Sequence, residues 1–165
     1  MAEGDGGGAG SRTALGPALR RAWIGYQRRL TGELTQAGFA DRSLPDGRVL
    51  RICSRGDDVT ISDIGRQLGI TRQGAGKIVA SLRERGYVTV DDSPVSARAK
   101  IVRPTTRATT YLAAQKTAAR AIERRLRNEL GDDTFEALER LLAALDDPAQ
   151  PRLLDYLNDS AHLDI

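Results

Sequence analysis

The chain holds a single cysteine and a single histidine among 165 residues. An internal disulfide is therefore excluded, and a zinc or iron site built within one chain lacks ligands. Aromatic residues amount to 4%, so any core must rest on Leu, Ile, Val and Ala, which favours helices. No apolar run approaches the roughly eighteen residues needed to span a bilayer. The opening "MAEGDGGGAGSR" lacks the apolar middle of a secretory signal. A soluble cytoplasmic protein with no metal, no cofactor and no membrane partner is expected. Catalytic groupings are equally scarce. His162 lies near a frayed end, and the acidic pairs Asp57-Asp58 and Asp91-Asp92 fall in predicted turns, where they serve solvation. A Ser-His or Cys-His nucleophile pair has little support, and an enzyme is not expected.

What is abundant is positive charge, unevenly placed. Residues 1–130 carry 23 Lys and Arg against 13 Asp and Glu, whereas residues 131–165 carry 2 against 9. A basic body with an acidic end suits a polyanion-binding surface kept apart from the C-terminal region.

Periodicity organises the chain. Residues 1–12 are glycine-rich, without a repeat, and read as a disordered tail. Within 13–38, Leu15, Leu19, Trp23, Tyr26, Leu30 and Leu34 recur at steps of three or four, forming one stripe of a long helix that stops at Gly38. Residues 44–104 form the central unit. Pro45 and Asp46 suit the opening of a short helix whose apolar positions are Val49, Leu50, Ile52 and Cys53. Thr60 then caps a helix with Ile61, Ile64 and Leu68 inward, and Gly69 ends it. Thr71 caps a second, with Ala75, Ile78, Val79 and Leu82 inward. Two short helices joined by a tight turn make a helix-turn-helix.

After Gly86, the strand-like runs "YVTV" and "RAKIVR" flank the turn-rich "DDSPVSA", a projecting hairpin. The fold class is thus mainly α with a small β-hairpin wing. Residues 105–147 supply two more helices. Tyr111, Gln115, Ala118, Ile122 and Leu126 line the first; Phe135, Leu138, Leu142 and Leu145 line the second, opened by Asp133 and Glu136 spaced as a capping box. Residues 148–165 are an extension with one or two amphipathic turns. The outer helices carry more apolar stripe than a central unit of this size can cover. A symmetric dimer is expected to bury the remainder; the competing reading is packing within one chain alone.

The stretch "GITRQGAGKIV" has the glycines and lysine of a phosphate-binding loop. Its spacing is wrong: position 71 is Thr where that loop needs Gly, and Ile78 follows the lysine where Ser or Thr must hold magnesium. In the helix opened by Thr71, the inward set turns Gln73, Gly76, Lys77 and Ala80 outward. This strip is small, polar and cationic, as a helix docking in the major groove requires. Gln73 can offer a paired donor and acceptor to adenine, and Lys77 can reach guanine or phosphate. Thr71 and Arg72 suit backbone phosphates at the helix N-terminus. Gly74 and Gly76 each cost about 1 kcal/mol relative to Ala in a helix, a cost explicable if another backbone or DNA must come close.

The span from "LPDGRVLRI" through "TISDIGRQLGITRQGAGKIVASLRERGYV" to "DDSPVSARAKIVRPTTRA" resembles the MarR family of bacterial transcription regulators over roughly residues 14–147. The segment "ITRQGAGKIVASLRERGYV" is its most specific part. The resemblance implies a homodimer held by N- and C-terminal dimerisation helices, each subunit placing one winged helix in successive major grooves of a pseudo-palindromic operator. Arg98 resembles the wing residue that enters the minor groove. The sequence departs from the family's pattern at Ser96, where an orienting aspartate is usual, and at Ala108, where glycine is usual. Some relatives bind small aromatic ligands between the dimer helices and the winged unit; Trp23, Tyr26 and Tyr111 are the candidates here for a small-molecule effector. Cys53, beside Ile52 and without a resolving partner, reads as a buried inert thiol. The expected partner is double-stranded DNA and the expected role a repressor. The alternative is a winged-helix module for protein contact or nonspecific DNA architecture.

Overall fold

The computed structural model describes residues 14–43, 45–56, 58–94 and 99–145. The glycine-rich tail, Ser96 and Arg98 of the wing loop, Asp57, and the C-terminal extension with His162 lie outside the described residues. Six helices and one hairpin follow in order: α1 (Leu15–Gln36), α2 (Asp46–Cys53), α3 (Ile61–Leu68), α4 (Arg72–Glu84), β1 (Val88–Asp92), β2 (Lys100–Pro104), α5 (Thr106–Leu130) and α6 (Asp132–Ala144). The winged helix-turn-helix expected from the sequence is the fold observed. No described helix is long and apolar enough to cross a membrane.

Local signals account for most boundaries. Thr60, Thr71 and Thr105 each sit in extended backbone and accept a hydrogen bond from the amide three residues on, satisfying a donor that a helix start leaves open. At Thr60 the cap is reciprocal, since Asp63 accepts from the Thr60 amide at 3.1 Å. These Thr60 hydrogen bonds, with Arg66 beside it, hold the Asp63 carboxyl below its ordinary range. Gly69 ends α3 at φ 68, the left-handed conformation that glycine adopts without cost.

Two expectations are corrected. The last described helix has no capping box at Asp133 and Glu136: α6 starts two residues earlier, with Gly131 at φ 79 as its N-cap and no side-chain cap. The connection from α5 is too tight to hold a separate capping residue, and Asp132 instead takes a hydrogen bond from Arg127 at 3.1 Å. Asp91 and Asp92, read as turn residues, belong to β1. There Asp92 stands opposite Lys100, and both are ion-paired, while Asp91 reaches Arg103 at 3.0 Å. These cross-strand charges let two adjacent aspartates extend a strand. The hairpin also recruits the segment before α3, since Val102 donates to the Val59 carbonyl at 2.8 Å.

The core joins α1 to α5 and the hairpin around Leu34, Leu50, Ile64, Leu82, Tyr87 and Tyr111, none more than 1% exposed. Cys53 lies within it, and burial pushes its thiol up to about 11, so at neutral pH it stays protonated and unreactive. Gln115 accepts from Arg51 at 2.7 Å and fills the space over Gly47, where a Cβ would stand 2.7 Å from its amide. The α1 stripe is covered over only half its length. Leu30 and Leu34 are buried against α5, whereas Leu15 and Trp23 remain 50% and 46% exposed.

The helix-turn-helix depends on one close approach that its spacing alone did not reveal. A Cβ on Gly65 would lie 3.1 Å from the Ile70 carbonyl oxygen and 3.5 Å from that of Thr71. Gly65→Val is expected to cost about 1–3 kcal/mol by overpacking against backbone that cannot move aside. Chemical denaturation of the two proteins would measure it, and an unchanged midpoint would show that the turn relaxes freely.

Candidate nucleic-acid interface

Helix α4 is amphipathic in the sense that its sequence indicates. Ala75, Val79 and Leu82 are buried, while Gln73, Lys77 and Ala80 are exposed on the opposite side. Thr71 Oγ1 accepts from the Gly74 amide at 3.1 Å, and Arg72 and Thr71 are exposed at the same end. The first turn of α4 holds no acidic residue, unlike the first turns of α3 with Asp63 and α6 with Asp132 and Asp133. Its positive dipole end is therefore left uncompensated, a local field that favours an anion.

Gly76 lies between Gln73 and Lys77 on this surface. A Cβ there would meet nothing within 4 Å, so no neighbouring backbone among the described residues explains the glycine. Gly74 differs, since its Cβ would come 3.3 Å from Thr71 Oγ1 and crowd the cap. Gly76→Ala is thus expected to stabilise the fold by about 1 kcal/mol through helix propensity, raising the melting temperature by a few degrees. A surface that must approach the α4 backbone should bind this variant less well. Stability and affinity moving in the same direction would count against that close approach.

The wing carries matched charge. Arg103 bonds Asp58 at 3.2 Å and Asp91 at 3.0 Å, and Lys100 pairs with Asp92. The exposed cations of the strands are thereby tied to carboxylates, whereas Lys77 on α4 has no such partner among the described residues.

The three aromatic candidates for a ligand cleft are not gathered into one place. Trp23 and Tyr26 stack on α1 with centroids 6.0 Å apart. Burial, with the charge of Glu123 on α5 adding to it, raises the Tyr26 phenol. Tyr111 lies twelve residues earlier on α5, roughly 18 Å along the helix. It packs edge-on against Phe39 at 5.4 Å and Tyr87 at 5.6 Å. Its hydroxyl is buried without a hydrogen-bond partner among the described residues.

Sequence reasoning overlooked a polar cluster at the far end of α4. Arg85 forms a two-pronged ion pair with Asp46, at 2.6 and 3.0 Å. Asp46, read only as a helix opener, is 1% exposed and the single buried charged residue described. Asp41 accepts from Tyr87 at 2.8 Å and from Arg107 at 3.0 Å. Partial burial pulls the Asp41 carboxyl upward, but those bonds and the Arg107 charge outweigh it and hold it below the ordinary range. Burial and the Asp41 contact push the Tyr87 phenol up to about 12. One signal was present: Arg85 follows Leu82 by three on the inward face, where a charge demands a partner.

The sequence profile of the MarR family matches residues 40–99, which span the helix-turn-helix and the first strand of the wing and end just before β2. Over those residues the chain matches the MarR family. Solved structures extend the likeness to the outer helices. The transcriptional repressor CouR bound to a 23-mer DNA duplex is 26% identical, with 80% of this chain and 92% of that one covered at a TM-score of 0.62. MepR, a transcription regulator of the Staphylococcus aureus multidrug efflux pump MepA, is 18% identical over 81% of this chain and 100% of its own, at 0.66. The MarR-family protein Rv2887 of Mycobacterium tuberculosis in complex with DNA is 20% identical over 82% and 99%, at 0.59. The same protein is also known in complex with salicylic acid. No curated protein sequence matches the chain. The fold is therefore that of MarR-family transcription regulators, in which α4 is the second helix of the helix-turn-helix and β1–β2 the wing.

Proposed function

We propose that the protein is a homodimeric, sequence-specific DNA-binding regulator of the cytoplasm, acting as a repressor. The observation that carries this reading is the strip Gln73, Gly76 and Lys77. It lies on the outer face at the uncompensated N-terminus of α4, with nothing among the described residues within 4 Å of a Cβ on Gly76. Thr71 and Arg72 would hold phosphates, Gln73 a base edge, and Lys77 a base or phosphate; Arg98 would reach the minor groove from the wing. DNA in the CouR and Rv2887 structures supports the choice of partner.

The outer segments 13–38 and 105–147 would form the dimer. Leu15, Trp23, Leu130, Leu141, Leu142 and Leu145 are each 43–52% exposed in the single chain, and all lie on α1, α6 or the ends that adjoin them. A second copy burying this surface sets two α4 helices on one duplex, matching a pseudo-palindromic operator.

The test is titration with duplex from the protein's own upstream intergenic region and with unrelated duplex, at about 150 mM salt. Tight, selective binding is expected, weakening linearly on logarithmic axes as salt rises, because each phosphate contact releases counterion. Equal affinity for both duplexes would favour an architectural or protein-binding module instead.

An aromatic acid is the effector we infer, supported by the unpartnered Tyr111 hydroxyl and by salicylic acid in the Rv2887 complex. Trp23, stacked on Tyr26 and half exposed, is the reporter. Its emission is expected to change on titration with salicylate, and a flat response across a panel of aromatic acids would remove the effector.

A further inference from the structure

We propose that Arg85 and Asp46 are positioning residues for DNA recognition, clamping the rear of α4 so that its front meets the groove at one angle. The inference rests on the DNA-binding reading above and concerns residues remote from the strip that would touch DNA.

Arg85 is the residue that closes α4. Its two terminal nitrogens grip both oxygens of Asp46, at 2.6 and 3.0 Å. Nη1 also donates to the Asp41 carbonyl at 2.8 Å, and Nε returns to the Ser81 carbonyl at 3.2 Å. Asp46 is held in turn by the Ser43 amide at 2.6 Å. Asp41 connects onward to Arg107 in the first turn of α5. Both guanidinium groups lie over the Tyr87 ring, Arg85 at 5.4 Å and Arg107 at 4.8 Å from its centroid. One residue of α4 thus binds the α1–α2 loop and the start of α2, and through Asp41 and Tyr87 it is joined to the start of α5.

A buried ion pair contributes little net stability against apolar replacements of similar size, so stability does not explain this arrangement. A two-pronged guanidinium–carboxylate pair does fix direction. The direction matters because α4 is a lever. Thirteen residues rise about 20 Å at 1.5 Å each, so a tilt of about 10° at the rear displaces the front by roughly 3.5 Å. A subunit on a lone half-site can redock around such a displacement, but in a dimer held at two fixed half-sites the hydrogen bonds to base edges do not survive it. In a two-fold dimer the error enters at both half-sites and changes the distance between them.

The experiment selects preferred duplexes from a random pool with the full-length parent chain. Half-site spacing is then varied by one and two base pairs. The paired variant Asp46→Leu with Arg85→Met replaces the ion pair by apolar groups; Arg85→Lys keeps the charge and loses the fork. The paired variant is expected to melt near the parent and to bind an isolated half-site within about twofold of it. Its preference for the parent's spacing should fall by about tenfold, a typical coupling between linked sites. A folded paired variant that keeps the parental spacing preference overturns the proposal. If that variant does not fold, Arg85→Lys decides: loss of preference supports the clamp and parental preference overturns it. A parent chain that selects no duplex removes the DNA reading itself, and the inference with it.

Discussion

A chain carrying Leu141→Asp and Leu142→Asp is expected to be a folded monomer that binds a two-half-site duplex about 10²–10⁴-fold less tightly than the parent, the usual avidity of two linked sites. The two leucines are 43% and 46% exposed, so within one chain their replacement should alter stability by no more than about 0.5 kcal/mol. Between two chains the balance is different. Each leucine fully buried is worth about 1.5–3 kcal/mol, every change occurs twice, and symmetry brings new carboxylates close to one another. Helix α6 contributes only one buried residue of its own, Phe135, held under the Arg127 guanidinium at 4.3 Å. Its remaining apolar face has no function in the single chain. Sedimentation equilibrium and circular dichroism together decide the point. A variant that unfolds would show that these leucines pack within the chain, and a folded variant that stays dimeric would move the interface elsewhere.

Lys77→Ala and Gln73→Ala are expected to weaken DNA binding in distinguishable ways. Both side chains are exposed, so neither change should disturb the fold. A charged hydrogen bond contributes about 1.5–3 kcal/mol. Lost in both subunits, it amounts to about 3–6 kcal/mol, or a factor of 10² to 10⁴. If Lys77 meets phosphate, the loss should be similar for every duplex, and the salt slope should fall by about 1 per subunit. Gln73→Ala should act at one base position per half-site, removing about 1–3 kcal/mol of discrimination while leaving affinity for scrambled duplex unchanged. Binding curves at several salt concentrations, with single-base variants of the preferred duplex, separate the two outcomes. Parental affinity in both variants would mean that α4 does not face DNA.

The contrast between the two ends of α4 shows how far local pattern reaches. The front was legible because everything that defines it lies within one or two turns. Thr71 caps by reaching the amide three residues on, and the inward set Ala75, Val79 and Leu82 decides by helical spacing that Gln73 and Lys77 point away. The same locality made Thr60 and Gly69 readable. It also misled at Asp133, where a capping-box spacing was present but Gly131 turned the chain two residues too soon. Asp91 and Asp92 carried a turn composition that the cations across the hairpin overruled.

The amino-acid order alone therefore settled the helices, the threonine caps of α3 and α4, the helix-turn-helix and the outward strip on α4, because each depends on atoms a few residues apart. Docking of the elements settled the rest. Arg85 meets Asp46 across 39 positions and Tyr87 meets Asp41 across 46. Nothing in local spacing favours those partners over the other charges available. Closing such long loops is driven by burial of the shared core, and only once that core has formed are these particular charges brought within reach and removed from water, where pairing becomes obligatory.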